Sequence, residues 1–280
     1  MNNELKIPFD NFDHLAKVLI LFVILFFTIA LILYVITLFK RLLRIKNEAL
    51  KSSYQRIVDK AIFAYLFGGD DIKVKDINIF NFNFTDDSLF QKVAIKSIVS
   101  LHHSYSGEYQ EKLQSFYVQS KLVNYSLRML DSKSWFKKVE GIRDLSTLKY
   151  QPALDNIKLC LLHKHELVQS EALIALVKMN GITELIQQKN SNLYLNDWIQ
   201  SNLIFTIKTN RINDTGELNQ LLTSENASFQ LLGVRLIYHY HDSTYLENLK
   251  VFESQIDDIK LKSEISETIN HINSFYNKLI

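Results

Sequence analysis

From Val18 to Phe39 the chain runs twenty-two residues without a charged side chain. Leu, Ile, Phe and Val fill nearly every position, and only Thr28, Tyr34 and Thr37 carry a hydroxyl. A helix rises about 1.5 Å per residue, so the run makes roughly 33 Å, against about 30 Å for a bilayer core. It is apolar on every side, which a helix packed against a soluble core does not need. The apolar part of a cleaved signal peptide is usually about 7–15 residues long and ends in small residues. Here Lys40, Arg41, Leu42, Leu43 and Arg44 follow instead. Residues 18–39 are therefore expected to cross a lipid bilayer as a single helix.

The flanks set an orientation. Glu4, Lys6, Asp10, Asp13 and Lys17 precede the run, while Lys40, Arg41, Arg44, Lys46, Lys51 and Arg56 follow it, opposed only by Glu48. Positive flanks stay on the cytoplasmic side and meet anionic headgroups. The expectation is a single-pass protein of the inner membrane, with residues 1–17 outside and the C-terminal domain in the cytoplasm. Lys40, Arg41, Arg44 and Lys46 form the anchor flank.

Composition narrows the rest. A net charge of +2 implies no strongly basic face, so no nucleic-acid partner is expected. A single cysteine, Cys160, permits no internal disulfide, which agrees with a reducing compartment. Seven glycines and two prolines are too few for a turn-rich sheet protein or a Gly-rich phosphate loop.

Along the chain, Leu42, Leu43, Ile45, Leu50, Tyr54, Ile57, Ile62 and Leu66 keep helical spacing to Phe67, so a juxtamembrane helix is expected over 40–67, ended by Gly68-Gly69. Residues 68–87 read as a connector, in which Phe80, Phe82 and Phe84 alternate with Asn81 and Asn83. From residue 88 to 280 the pattern is helical throughout, with Asp87 or Ser88 as the first cap.

An internal repeat follows. Trp135–Leu148 and Glu166–Met179 align thirty-one residues apart, pairing Gly141 with Ala172, Ile142 with Leu173 and Leu145 with Leu176. A third copy spans Ser228–Tyr240 with Gly233, and the slot between holds a degenerate match at Trp198, Leu203 and Phe205. Small residues stand where a helix approaches its neighbour closely, and the aliphatic positions beyond form a buried stripe. Shorter helices around Leu154–Leu162, Ile182–Ile186 and Tyr245–Phe252 read as the second member of each pair. A repeat of this length, built of paired helices, is the mark of an α-solenoid. The last segment, from Ile256, reads as an amphipathic cap.

The segment Ser134–Gly181 resembles HEAT repeats. The likeness covers residues 131–190 well and 191–255 loosely. The consensus Asp and Arg are mostly absent, with Lys138 and Gln169 near the place of the arginine. More broadly the chain looks like bacterial membrane-anchored HEAT-repeat proteins. That resemblance implies an all-α, HEAT-like solenoid behind one N-terminal span, and association with an envelope or polysaccharide-synthesis complex.

Candidate chemistry is sparse. Cys160-x-x-His163-x-His165, His239-x-His241 and His102-His103 are the only groupings with zinc-ligand residue types. Residues two apart on a helix do not face each other, and both H-x-H pairs fall at expected helix ends, where a cationic ring suits the dipole. No metal, cofactor, catalytic residue or small-molecule substrate is expected, and no nucleophile, phosphate-loop or zinc-protease motif is present. The aromatics Trp135, Trp198, Tyr238 and Tyr240 are the candidate partner contacts. The leading expectation is a non-enzymatic, membrane-tethered scaffold that binds a protein partner. An enzyme or lyase of HEAT-like architecture and a signal-transmitting membrane subunit are the alternatives.

Overall fold

The computed structural model describes residues 14–68 and 87–277. Residues 1–13 of the expected tail, and 69–86 of the connector with its Phe–Asn alternation, lie outside the described residues. The chain divides into two compact units, Met1–Ile57 and Val58–Ile280.

The first unit holds most of α1 (His14–Phe67), an unbroken helix that starts inside the expected tail. It merges the expected span and juxtamembrane helix into one element. It is the one described helix long and apolar enough to cross a membrane, and the rest of the chain buries none of its apolar window. The Thr28 hydroxyl donates to the carbonyls of Ile24 and Leu25 at 3.0 and 2.8 Å, and that of Thr37 donates to Leu33 at 2.7 Å. These bonds satisfy the hydroxyls within the helix.

The second unit begins with the last turns of α1. There the pattern turns one-sided: Val58, Ala61, Ile62 and Leu66 are buried, the Tyr65 ring lies 5.2 Å from that of Phe116, and Phe67 lies 5.5 Å from Tyr109. Next come α2 (Ser88–Ser104), α3 (Glu108–Gln119) and α4 (Val123–Leu130). Asp87 caps α2, its carboxylate accepting from the amides of Leu89 and Phe90. Beyond these, longer and shorter helices alternate: α5 (Trp135–Thr147), α6 (Leu154–Leu159), α7 (Glu166–Asn180), α8 (Thr183–Gln187), α9 (Asp197–Thr209), α10 (Asn219–Leu222), α11 (Ala227–Tyr240), α12 (Leu246–Gln255) and α13 (Ile259–Asn277). No strand occurs among the described residues, so the all-α class stands.

The longer helices share one frame, counted from the residue before each. Those residues are Ser134, His165, Asn196, Asn226 and Asp258; the last four cap with a side-chain acceptor. Seven residues on stand Gly141, Ala172, Leu203, Gly233 and Ile265. Eleven residues on stand Leu145, Leu176, Ile207, Ile237 and Ile269, the first four buried. Burying each such side chain stabilises the unit by about 2 kcal/mol. The slot that the sequence renders as degenerate is thus a full helix, α9, in register with the others.

Each longer helix packs on the next: α5 on α7, α7 on α9, α9 on α11 and α11 on α13. They run parallel. Between α5 and α7, contacts climb both helices together, from Trp135–His165 at the start to Lys178–Thr147 at the end. A Cβ on Gly141 would lie 2.5 Å from the Leu130 amide nitrogen and 2.6 Å from the Ser126 carbonyl; one on Gly233 would lie 2.8 Å from the Leu221 Cβ. Close approach at the glycines is therefore real. Its object is the short helix that precedes each longer one, α4 or α10.

Candidate functional site

Four residues after each of the first four of these residues, the frame carries a hydrogen-bond donor aimed backwards. Gln169 donates to the His163 carbonyl at 2.7 Å, Gln200 to Leu195 at 2.8 Å and Gln230 to Ser224 at 2.7 Å, while the Lys138 ammonium donates to the Leu130 carbonyl. Each bond satisfies a carbonyl of the segment leading into its own helix, which would otherwise be left unpaired. These donors thus fasten the lead-in segments, and beside two of them, Gln169 and Gln230, the surface opens into a groove.

One groove, of about 420 Å³, lies between the end of the α6 segment and the end of α8; Leu161, Leu162, Gln169, Gln188, Asn190 and Asn192 are among its walls. Ser191 also lines it, and its Oγ is buried without a hydrogen-bond partner among the described residues. The other, of about 600 Å³, lies between α10 and α12, with Asn219, Leu222, Gln230, Asn248, Phe252 and Gln255 among its walls. The position between them is closed: Ser224 donates to the Lys189 carbonyl, and Asn226 donates to the carbonyls of Ser191 and Leu193 at 2.9 and 2.7 Å.

No titratable side chain lines either groove. Amides and hydroxyls there both donate and accept, beside aliphatic surface, a lining that suits neutral polar groups such as peptide bonds. Three groups with displaced titration sit in the packing instead. Burial raises the Asp144 carboxyl to about 7, against a hydrogen bond from the Ser126 hydroxyl that favours its charged form. Burial, then the neighbouring His103, Lys178 and Lys149, lower His102 to about 4. Burial also lowers Lys178 to about 8, where it donates to the Thr147 hydroxyl at 2.9 Å.

Comparison with protein-family models, with curated proteins and with solved structures finds no match.

The four aromatics expected as partner contacts do not form one surface. Trp135 and Trp198 stand at the N-terminal ends of α5 and α9, while Tyr238 and Tyr240 stand at the C-terminal end of α11. Because the helices run parallel, these are opposite rims. Trp135 stacks on His165 at 4.4 Å, Tyr238 stacks on His271 at 4.2 Å, and the Tyr240 hydroxyl donates to the Ile212 carbonyl at 2.7 Å. Three of the four therefore bridge elements, and none lines a groove. Lys40, Arg41, Arg44 and Lys46 are exposed on α1, with Arg44 paired to Glu48 at 2.9 Å.

The histidines also find other work. His165 stands at the N-terminus of α7, not at a C-terminal end, and its Nδ1 accepts from the Leu167 amide at 3.3 Å. His163 Nδ1 accepts from the His165 amide at 3.1 Å. Both Nδ1 atoms are thus engaged by backbone amides of the same turn. His239 lies in the last turn of α11; His241 caps its end at φ 55° and lies 3.2 Å from His271 through ring nitrogens. Among the described residues no group of three or more His, Cys, Asp or Glu is placed to hold a metal ion. Cys160 is buried, with its Sγ 3.4 Å from the Asn156 carbonyl, and burial raises its thiol pKa.

Sequence reasoning missed the ion pairs between successive longer helices. Arg143 binds both carboxylate oxygens of Glu171, and Arg235 binds both of Glu264 at 2.8 and 2.9 Å. Each arginine stands nine residues after its cap and each glutamate six after the next, a spacing visible in the sequence once the caps are aligned.

Proposed function

We propose that this protein is a membrane-tethered scaffold. Its α1 spans the inner membrane with the N-terminus outside, and its second unit is a HEAT-like α-solenoid on the cytoplasmic side that holds a protein partner. One combined observation carries the reading: an apolar window that the chain itself leaves wholly uncovered, joined to repeated helices that carry two grooves lined by neutral amides, besides smaller ones with charged walls. An uncovered window of that length needs an apolar solvent. A neutral, hydrogen-bonding groove suits a stretch of polypeptide better than a charged metabolite. Exposed cations at Lys40, Arg41 and Lys46 support the orientation. Tethering raises the effective concentration of whatever the grooves hold for other membrane machinery. The resemblance to membrane-anchored HEAT-repeat proteins directs attention to an envelope or polysaccharide-synthesis complex.

Cross-linking mass spectrometry on native membranes tests this reading. The protein is expected to resist alkaline extraction, and cross-links to one recurring membrane protein are expected to originate at Lys189, Lys164 or Lys250, the lysines nearest the grooves in sequence. Full release by alkali, or cross-links scattered over unrelated proteins, overturns it.

A further inference from the structure

Trp135 and Phe136 open α5 yet stay 42% and 60% exposed. Leu159 and Leu162, three residues apart on the short helical segment before α7, are 68% and 84% exposed. The stacking of Trp135 on His165 draws these two segments together. Phe136, Leu159 and Leu162 thus stand out from the surface beside Trp135, whose ring is stacked on His165 yet stays 42% exposed. Lys133, Lys137 and Lys164 lie beside them in sequence, all exposed, and none is in an ion pair among the described residues. Asp131, Asp155 and Glu166 are the carboxylates beside them, Asp155 one turn before Leu159 on the same helix.

We propose that this patch is a second lipid contact, which docks the helical unit on a leaflet of anionic headgroups; it rests on the reading that α1 lies in a membrane. Trp and Phe that protrude beside lysines match an interface where apolar groups enter the acyl boundary and cations meet phosphate. A protein interface has the opposite composition, with lysine depleted around its aromatic core. The groove between α10 and α12 is a different surface, whereas the groove beside α8 meets the patch at Leu162. A chain already tethered by α1 meets lipid at high effective concentration, so a few weak contacts suffice.

The chain carries its own probe, because Trp135 and Trp198 are its only tryptophans and α1 has none. The full-length Trp198→Phe and Trp135→Phe chains are reconstituted in nanodiscs of phosphatidylcholine with or without phosphatidylglycerol, containing lipids brominated on the acyl chain. In the anionic discs, Trp135 emission is expected to shift to the blue and be quenched about twofold more than Trp198 emission. Salt at about 0.5 M is expected to reverse most of that difference, since it screens exposed charges. Lys133→Gln, Lys137→Gln and Lys164→Gln together are expected to reverse it as well. Quenching of Trp135 no stronger than of Trp198, in a chain that still co-floats with lipid, overturns the patch and leaves the anchor standing. A chain that does not co-float overturns the anchor and the patch together. A blue shift that appears only with a bound protein present reassigns the patch to a protein interface.

Discussion

Phe22, Phe26 and Phe27 in the first unit are more than half exposed, whereas Phe90, Phe116 and Phe229 in the second are at most 1% exposed. The side chain is the same, and its surroundings are opposite. In the first unit the apolar residues cover the whole circumference, so no neighbour within the chain could bury them all. In the second they fall on one stripe of most helices, with α7 buried on most sides, and neighbouring helices cover them. The last turns of α1 show the change within a single element: Ile24 and Leu25 are open, while Val58, Ala61 and Ile62 are fully buried. What separates the two regimes is the density of apolar residues together with the presence of neighbouring helices to cover them.

The largest expected effect comes from giving the first unit charge. Leu25→Arg with Ile29→Arg is expected to cost about 5–7 kcal/mol of insertion free energy and to abolish retention in alkali-washed membranes. The thermal unfolding of the second unit, followed in detergent by near-ultraviolet circular dichroism, is expected to stay unchanged. If the two fall together, the contrast between the units is broken. A smaller and converse effect is expected from Gly141→Val, whose branched side chain collides with the backbone of α4. That variant is expected to lose about 3 kcal/mol of second-unit stability, read as a lowered Tm, while membrane retention is kept.

The smallest expected effect sharpens the inner side of the contrast through pH. The Asp144 carboxyl, raised to about 7, holds its proton in the folded unit after the unfolded chain has released its own. As pH rises from about 4 to about 7 the folded state therefore binds more protons than the unfolded state, and stability falls; above about 7 this contribution is flat. His102, lowered to about 4, works the other way, adding stability as pH rises from about 4 to about 6.5. Asp144→Asn is expected to stabilise the unit by about 1–2 kcal/mol at pH 8 and by nothing near pH 4, leaving the rising His102 slope uncovered. Chemical unfolding at a series of pH values reads this directly, and a profile unchanged by the substitution refutes the account.

Much of this was legible before any coordinates. The charge-free run, the helical continuation to Phe67, the cap at Asp87 and the closeness of Gly141 and Gly233 to a neighbour all follow from local rules of spacing and size. The α9 helix was obscured because Leu203 fills the place that glycine or alanine holds in α5, α7 and α11. Yet Gln169, Gln200 and Gln230, at intervals of thirty-one and thirty, mark the same frame. The direction of the glycine contacts was not legible, since a small residue announces close approach without saying to which helix. Trp135 and Tyr238 read as free anchors because the rings they stack on, His165 and His271, are thirty or more residues away in sequence. The grooves left no trace in the sequence, being spaces between elements whose amides look like ordinary helix-end residues.

The two threonines of α1 spend their hydroxyls on its own backbone. A spanning segment so occupied at its threonines has the Tyr34 hydroxyl and the small side chain of Ala30 left for another such segment, since hydrogen bonds and small-residue contacts are what draw helices together in lipid. Anchored as proposed, the protein would search two dimensions rather than three, and its lasting company would be chosen mainly by the folded unit.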